Sequence, residues 1–377
     1  MKIEFFKHNL DAQDKKNLLR VLDSPFLTTG ETVAEFEKQF AKYMYSKFTV
    51  GVMSCTEALH LCLVALGIGK DDEVITTPLS FIATANSIEY AGAKPVFVDV
   101  EPKTGNMDAA QIERAITKKT KAIMPVHLYG QMCDMKTLAK IAKRHHLKII
   151  EDCAHSIESK RDGIRPGKLS DAACFSFYAT KNMTCGEGGA ITTNNSNLAQ
   201  KLKILRLHGM NKSAADRYTK RFEHYDMEVL GFKENMSNIQ AALLLHQLDQ
   251  LDKRWKERQA LVKQYDKSLR LIPGIQLLKI LPHVKSAYHL YTFLVKASRR
   301  DKILHHLQDA DIGVAVNFRP IHLMKYYRKK YGYTPGKFPQ AEKIGQRTIT
   351  LPLYPKLKNA EQQYVIKTLR AVMATNQ

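Results

Sequence analysis

DDEVITTPLSFIATANSIEYAGAKPVFVDV, residues 71–100, reads as one strand–helix–strand unit. EVIT (73–76) and PVFVD (95–99) are short apolar runs without strict polar alternation, the pattern of strands buried on both faces. A helix candidate spans 82–91 between them. Strand, helix and strand in series make a right-handed crossover and a parallel pair.

The same rhythm extends outward from this unit. FTVGVM (48–53), KAIMPV (121–126), LKIIE (147–151) and ACFSF (173–177) are further strand candidates. Helix candidates at 57–66, 108–116 and 134–145 alternate with them. The fold class is therefore α/β, with a mainly parallel sheet. The first 45 residues are expected to be helical, with Val33, Phe36, Phe40 and Tyr43 at helix spacing. The alternation stops near residue 200. A long helix is expected from Ser237, a suitable N-cap, to Leu269. PGIQ (273–276) breaks the chain, and a smaller α+β domain follows. Its expected parts are a strand in AYHLYTFLVK (287–296), a helix at 300–310, a strand GVAVNF (313–318) and a terminal helix from residue 360. The expected division is a large domain over 1–250, including the N-terminal helices, and a small one over 251–377.

Hydrophobic residues make up 44% and charged residues 25% of the 377, which excludes collagen, coiled coil and wholesale disorder. The most apolar stretch, Ala58 to Gly69, is far shorter than the roughly 20 residues of a bilayer crossing. The start, MKIEFFKHNLDAQDKK, has no apolar core of a signal peptide, so a cytoplasmic location is expected. Cys55, Cys62, Cys133, Cys153, Cys174 and Cys185 are scattered singly, without metal-ligand spacing. They read as reduced thiols, and no metal is expected. The net charge of +21 invites a nucleic-acid partner. Between Lys296 and Arg347, 12 basic residues face four acids, yet no recognition motif accompanies them. A solvated basic face, or a seat for a nucleotide diphosphate, fits this better.

Ligands of an open parallel sheet bind beyond the carboxyl ends of its strands. Four features stand there. Ser54-Cys55-Thr56 follows the strand at 48–53 and opens a helix. It reads as an N-cap or as a phosphate seat. Phe81 follows the strand at 73–76 and reads as a core aromatic or a stacking ring. Asp152 ends IIEDCAHS (149–156), where a buried carboxylate needs a partner to stay ionised. His155 lies three residues on. Lys181, in FSFYATKNMTCGEGG (175–189), follows Ser176 and precedes glycines. A desolvated lysine there becomes a nucleophile toward carbonyls. Singly these are weak. Together, a phosphate seat, a stacking aromatic, a strand-end Asp and a post-strand Lys are what pyridoxal phosphate requires.

These stretches make the sequence resemble the DegT/StrS-type nucleotide-sugar aminotransferases, pyridoxal-phosphate enzymes of fold type I. The likeness runs from FLTTG (26–30) to LPLYP (351–355). KNMTCGEGG, GFKENMSNIQAA (231–242) and NFRPIHLMKYYR (317–328) resemble the UDP-4-amino-4-deoxy-L-arabinose–oxoglutarate aminotransferase branch. The resemblance implies catalytic roles for Lys181, which holds the cofactor and moves protons, and Asp152, which pairs with the ring nitrogen. It places His155 by the ring hydroxyl, Phe81 on the ring face, and Cys55, Thr56 and Ser176 around the phosphate. It implies a homodimer in which Lys233 and Asn235 reach the neighbouring subunit's site, with Arg319 and His322 on the nucleotide-sugar side. The implied reaction carries the amino group of L-glutamate to a UDP-linked 4-keto sugar for polysaccharide or lipopolysaccharide synthesis. Met53-Ser54-Cys55-Thr56 departs from the commoner Asn-Ser-Gly-Thr seat, and Lys233 and Asn235 stand where Asn and Arg are commoner. A dehydratase branch has His in place of the cofactor lysine, so Lys181 points to transamination. An amino-acid transaminase or lyase on the same fold, and a basic polyanion-binding protein, stay open.

Overall fold

The unit read from residues 71–100 forms as β2 (Glu73–Thr76), a helix at Ala83–Tyr90 and β3 (Lys94–Phe97), with Val74 opposite Pro95 in a parallel pair. A computed structural model describes residues 1–212 and 224–374 of the chain. Ahead of this unit lie α1 (Ala12–Leu22), α2 (Glu31–Met44), β1 (Phe48–Val52) and α3 (Cys55–Ala65), so the helix at Ala83–Tyr90 is α4. After it come α5 (Ile112–Ala115), β4 (Thr120–Ile123), α6 (Met135–Arg144), β5 (Lys148–Asp152), β6 (Lys160–Arg161), β7 (Ala172–Ser176), β8 (Gly189–Thr193) and α7 (Ser196–Leu205).

The main sheet has the order β1-β8-β7-β5-β4-β2-β3. Its β7–β5–β4–β2–β3 part is parallel, and β8 runs antiparallel to both β7 and β1. β8 is absent from the sequence expectation. Its GAITT sits in a Gly-, Thr- and Asn-rich stretch that reads as a turn, yet all five residues are buried. Tertiary burial overrides weak strand propensity here.

Side-chain patterning explains the layers. One face of the sheet packs Val50, Ile150 and Ile191 against Leu59 and Leu61 of α3 and Leu202 of α7. The other face packs Phe175 and Phe177 against Phe36 and Phe40 of α2. The first long helix after this sheet, α8 (Asn238–Leu269), starts from Ser237, whose side chain and that of Gln240 cap each other's backbone N–H. Leu244 and Leu248 of α8 join the core beside α2, whereas Val262, Tyr265 and Leu269 join a second core.

That second core is built on β9 (Gln276–Leu277), β11 (Tyr291–Leu294) and β12 (Thr348–Leu351), in the order β12-β11-β9, while β10 (Val284–Lys285) pairs with β6. Helices α9 (Ala297–Asp309), α10 (Lys325–Tyr331), α11 (Pro339–Arg347) and α12 (Asn359–Ala374) complete the C-terminal part. One expectation needs correction. Residues 313–318 form no strand, because β12 takes the place beside β11 and leaves them a single bridge, Ala315 to Thr350. Ile3 lies in the second core, its N–H donating to Asp311 O and its carbonyl accepting from Gly313, both at 2.8 Å.

Candidate active site

A cavity of about 490 Å³ opens at the carboxyl edge of the sheet. The N-terminus of α3 forms one wall. Ser54 caps that helix by accepting from the Glu57 N–H at 3.2 Å. Cys55 and Thr56, at the first two helical positions, line the cavity. N–H groups of a first helical turn have no intrahelical acceptor, and the helix dipole adds positive potential. This wall suits a phosphate. β8 supports it from behind: a Cβ on Gly189 would lie 2.4 Å from the Ser54 carbonyl carbon and 2.7 Å from the Cys55 nitrogen.

Asp152 ends β5 and is buried in the cavity floor. Its Oδ2 accepts from the Thr84 hydroxyl at 2.7 Å, and its Oδ1 from the Ala154 N–H at 3.1 Å. Ser80 completes a relay, its hydroxyl 2.9 Å from that of Thr84. Burial pushes the Asp152 pKa up, and the Thr84 and Ala154 bonds, with the charges of Lys181 and His127, pull it back. Lys181 closes the turn after β7, its N–H donating to Tyr178 O at 2.9 Å. Burial brings its amine down from 10.5 to about 8, against the opposing pull of Cys55 and Asp152. Free amine is thus available near neutral pH.

His155 and His289 meet edge to face, with ring centres 4.9 Å apart, and His155 stacks on Phe318 at 5.9 Å. Burial and the nearby Lys181 charge hold both imidazoles well below their usual 6.5, so both are neutral. Nδ1 of His155 is buried without a hydrogen-bond partner among the described residues. Phe81 is 58% exposed at the cavity mouth, 6.1 Å from Phe318. Ser176 lines the cavity and accepts from the Tyr178 N–H at 3.3 Å.

These residues fit pyridoxal phosphate. The helix end suits the phosphate, Asp152 a cationic ring nitrogen, the orphaned His155 nitrogen a polar ring substituent, and the Lys181 amine an aldehyde. The structure thus brings Cys55, Thr56, Phe81, Asp152, His155, Ser176 and Lys181 around one cavity. Lys233 and Asn235 stand apart from it, bonded to each other, with Asn235 also donating to Thr29 Oγ1 at 2.6 Å. Arg319 is exposed and donates to Leu323 O at 3.3 Å. His322 is fully buried, bonded to Glu342 at 2.9 Å and packed on Phe338, and does not line this cavity.

Sequence reasoning missed Thr84, His289, Asn317 and Phe318, and also Phe5, all of which line the cavity. Thr84 carried a signal, three residues beyond Phe81 at the start of a helix. The others arrive by tertiary approach alone. His127, Glu151 and Cys153 lie within ligand distance of one another, but Glu151 is already committed to His127, Gly167 and Ser170.

In Bacillus subtilis (strain 168), the spore coat polysaccharide biosynthesis protein SpsC is 41% identical over 382 residues, covering 98% of this chain and 97% of that protein. The GDP-perosamine synthase of Caulobacter vibrioides is 38% identical, covering 97% and 96%. Among solved structures, the sugar aminotransferase Spr1654 of Streptococcus pneumoniae, described as putative, superposes in its pyridoxal-phosphate form with a TM-score of 0.92, at 31% identity over 100% of this chain and 99% of that one. Residues 8–370 match the DegT/DnrJ/EryC1/StrS aminotransferase family. The chain therefore belongs to that family of sugar aminotransferases, with pyridoxal phosphate as its cofactor.

Proposed function

We propose that the protein transfers the amino group of L-glutamate to the keto carbon of a nucleotide-diphosphate-linked sugar, a UDP-linked 4-keto sugar first among them. The observation that carries this is the Lys181 amine and the buried Asp152 carboxylate sharing one cavity with the free end of α3. SpsC is named for polysaccharide biosynthesis, which supports a role in building a glycan. The name GDP-perosamine synthase puts a GDP-linked sugar beside the UDP-linked one as a candidate.

Bound pyridoxal phosphate supplies an electron-accepting ring. Lys181 would hold the cofactor, and its free amine would move protons at the reacting carbon. Asp152 would hold the ring nitrogen protonated, and the Thr84 and Ala154 hydrogen bonds favour its carboxylate against burial. Ser54, Cys55, Thr56 and Ser176 anchor the phosphate, and Phe81 covers the ring. The neutral His155 donates or accepts at the ring hydroxyl without adding charge beside Lys181.

The working unit in this reading is a cytoplasmic homodimer, with Lys233 and Asn235 offered to the second cavity and Arg319 to the nucleotide. Each chain divides near residue 250, within α8. No helix among the described residues is long and apolar enough to cross a membrane. The test is a screen of UDP-, GDP- and dTDP-linked keto sugars with glutamate, followed by release of 2-oxoglutarate and mass of the amino sugar. Turnover of amino acids and keto acids alone, with none of the sugars, would replace this reading by an amino-acid transaminase.

A further inference from the structure

Glu158 and Arg258 form an ion pair with 0% and 1% of their side chains exposed. Neither lines the cavity. Arg258, on α8, donates through Nη2 to Glu158 Oε1. The other carboxylate oxygen, Oε2, accepts from Asn182 Nδ2 at 3.0 Å. The same amide donates to the Ala287 carbonyl at 3.0 Å, and Arg258 Nε reaches that carbonyl at 3.4 Å. The knot is anchored further at Gly130, whose carbonyl accepts from the Ala287 N–H at 2.9 Å and from Ser159 Oγ at 2.7 Å. A Cβ on Gly130 would lie 3.0–3.1 Å from the nitrogens of Tyr288, Ala287 and His289, so the segment rests directly on that glycine.

A fully buried ion pair is a weak source of stability, since apolar replacements of the same volume are often as stable. What this one joins gives a better account of it. Glu158 lies three residues beyond His155, Asn182 directly follows Lys181, and Ala287 precedes His289 by two. Each of these segments delivers one of those residues to the cavity wall. Arg258 brings in the long helix shared by the two cores. We infer that Glu158 and Arg258, acting through Asn182 and the Ala287 carbonyl, are positioning residues that set the Lys181 amine against His155 and His289. This rests on the reading of Lys181 as the cofactor lysine.

The readout is cofactor uptake by the cofactor-free full chain, followed by absorbance across pH and fixed with borohydride for peptide mapping. Uptake tracks the free-amine fraction of Lys181, which faces Asp152, Cys55, His155 and His289. Loosening the knot admits water and weakens the burial effect. Asn182→Ala removes an amide and no charge, so it serves should Glu158→Gln fail to fold. In Asn182→Ala the uptake midpoint is expected to rise by about one pH unit, slowing uptake near pH 7 roughly tenfold. Glu158→Gln moves it in the same direction. A folded Asn182→Ala that keeps the wild-type midpoint, with only a lower melting temperature, overturns the inference while leaving Lys181 in its role. Wild-type label found elsewhere than on Lys181 overturns both.

Discussion

The Thr84 hydroxyl, in the first turn of α4, donates to Asp152 Oδ2 at the end of β5, 2.7 Å away. Two elements distant in sequence are thereby locked around the most important charge in the cavity. Thr84→Val keeps the shape and removes the donor. A hydrogen bond to a charged group contributes about 1.5–3 kcal/mol, so kcat is expected to fall roughly tenfold to a hundredfold. Thr84→Ser should recover most of the loss. Steady-state kinetics beside a melting curve separate this from simple destabilisation.

Lys181→Ala is expected to abolish turnover, and Asp152→Asn to lower kcat by several orders of magnitude while leaving the fold intact. Circular dichroism establishes the fold, and 2-oxoglutarate release measures the rate. Normal activity in Lys181→Ala would end the mechanism.

Gly189→Ala tests the support behind the phosphate wall. The added methyl group meets backbone atoms of Ser54 and Cys55, which cannot rotate away. The start of α3 must shift, and cofactor binding should weaken by roughly tenfold or more. Fluorescence titration with pyridoxal phosphate reads this directly. Unchanged affinity would mean that the helix end is not the phosphate seat.

Glu57, in the first turn of α3, supplies a stability test with a definite sign. Burial, then the nearby Glu234 charge, raises its pKa from 4.5 to about 7, against the Ser54 hydrogen bonds. Between those two values the folded chain keeps a proton that the unfolded chain has released. Stability therefore falls as pH rises from 4.5 through about 7. Glu57→Gln should remove this dependence and raise the melting temperature at about pH 8 more than at about pH 5. Differential scanning fluorimetry across that range checks it. Equal melting curves for variant and wild type at both ends would contradict the assignment.

The strands after which ligands bind were legible because parallel strands buried on both faces are plain apolar runs. That logic located Asp152 and Lys181, since both follow such runs directly. It failed for β8, where glycine and threonine are buried by neighbours on either side. It also failed for GVAVNF (313–318), whose apolar residues suit a strand but find the place beside β11 taken. His322 illustrates a different limit. Its residue type suits a ligand contact, but Glu342, twenty positions further on, claims it in the interior. His289 was invisible for the converse reason, since only the packing of its segment on Gly130 brings it to the cavity.

Ile3 docks against Asp311 and Gly313, and Phe5 beside it lines the cavity. The seat of Ile3 is made by residues more than three hundred positions further along the chain. This wall of the cavity therefore closes only on a long-range contact, and a product cut before Asp311 would leave it open.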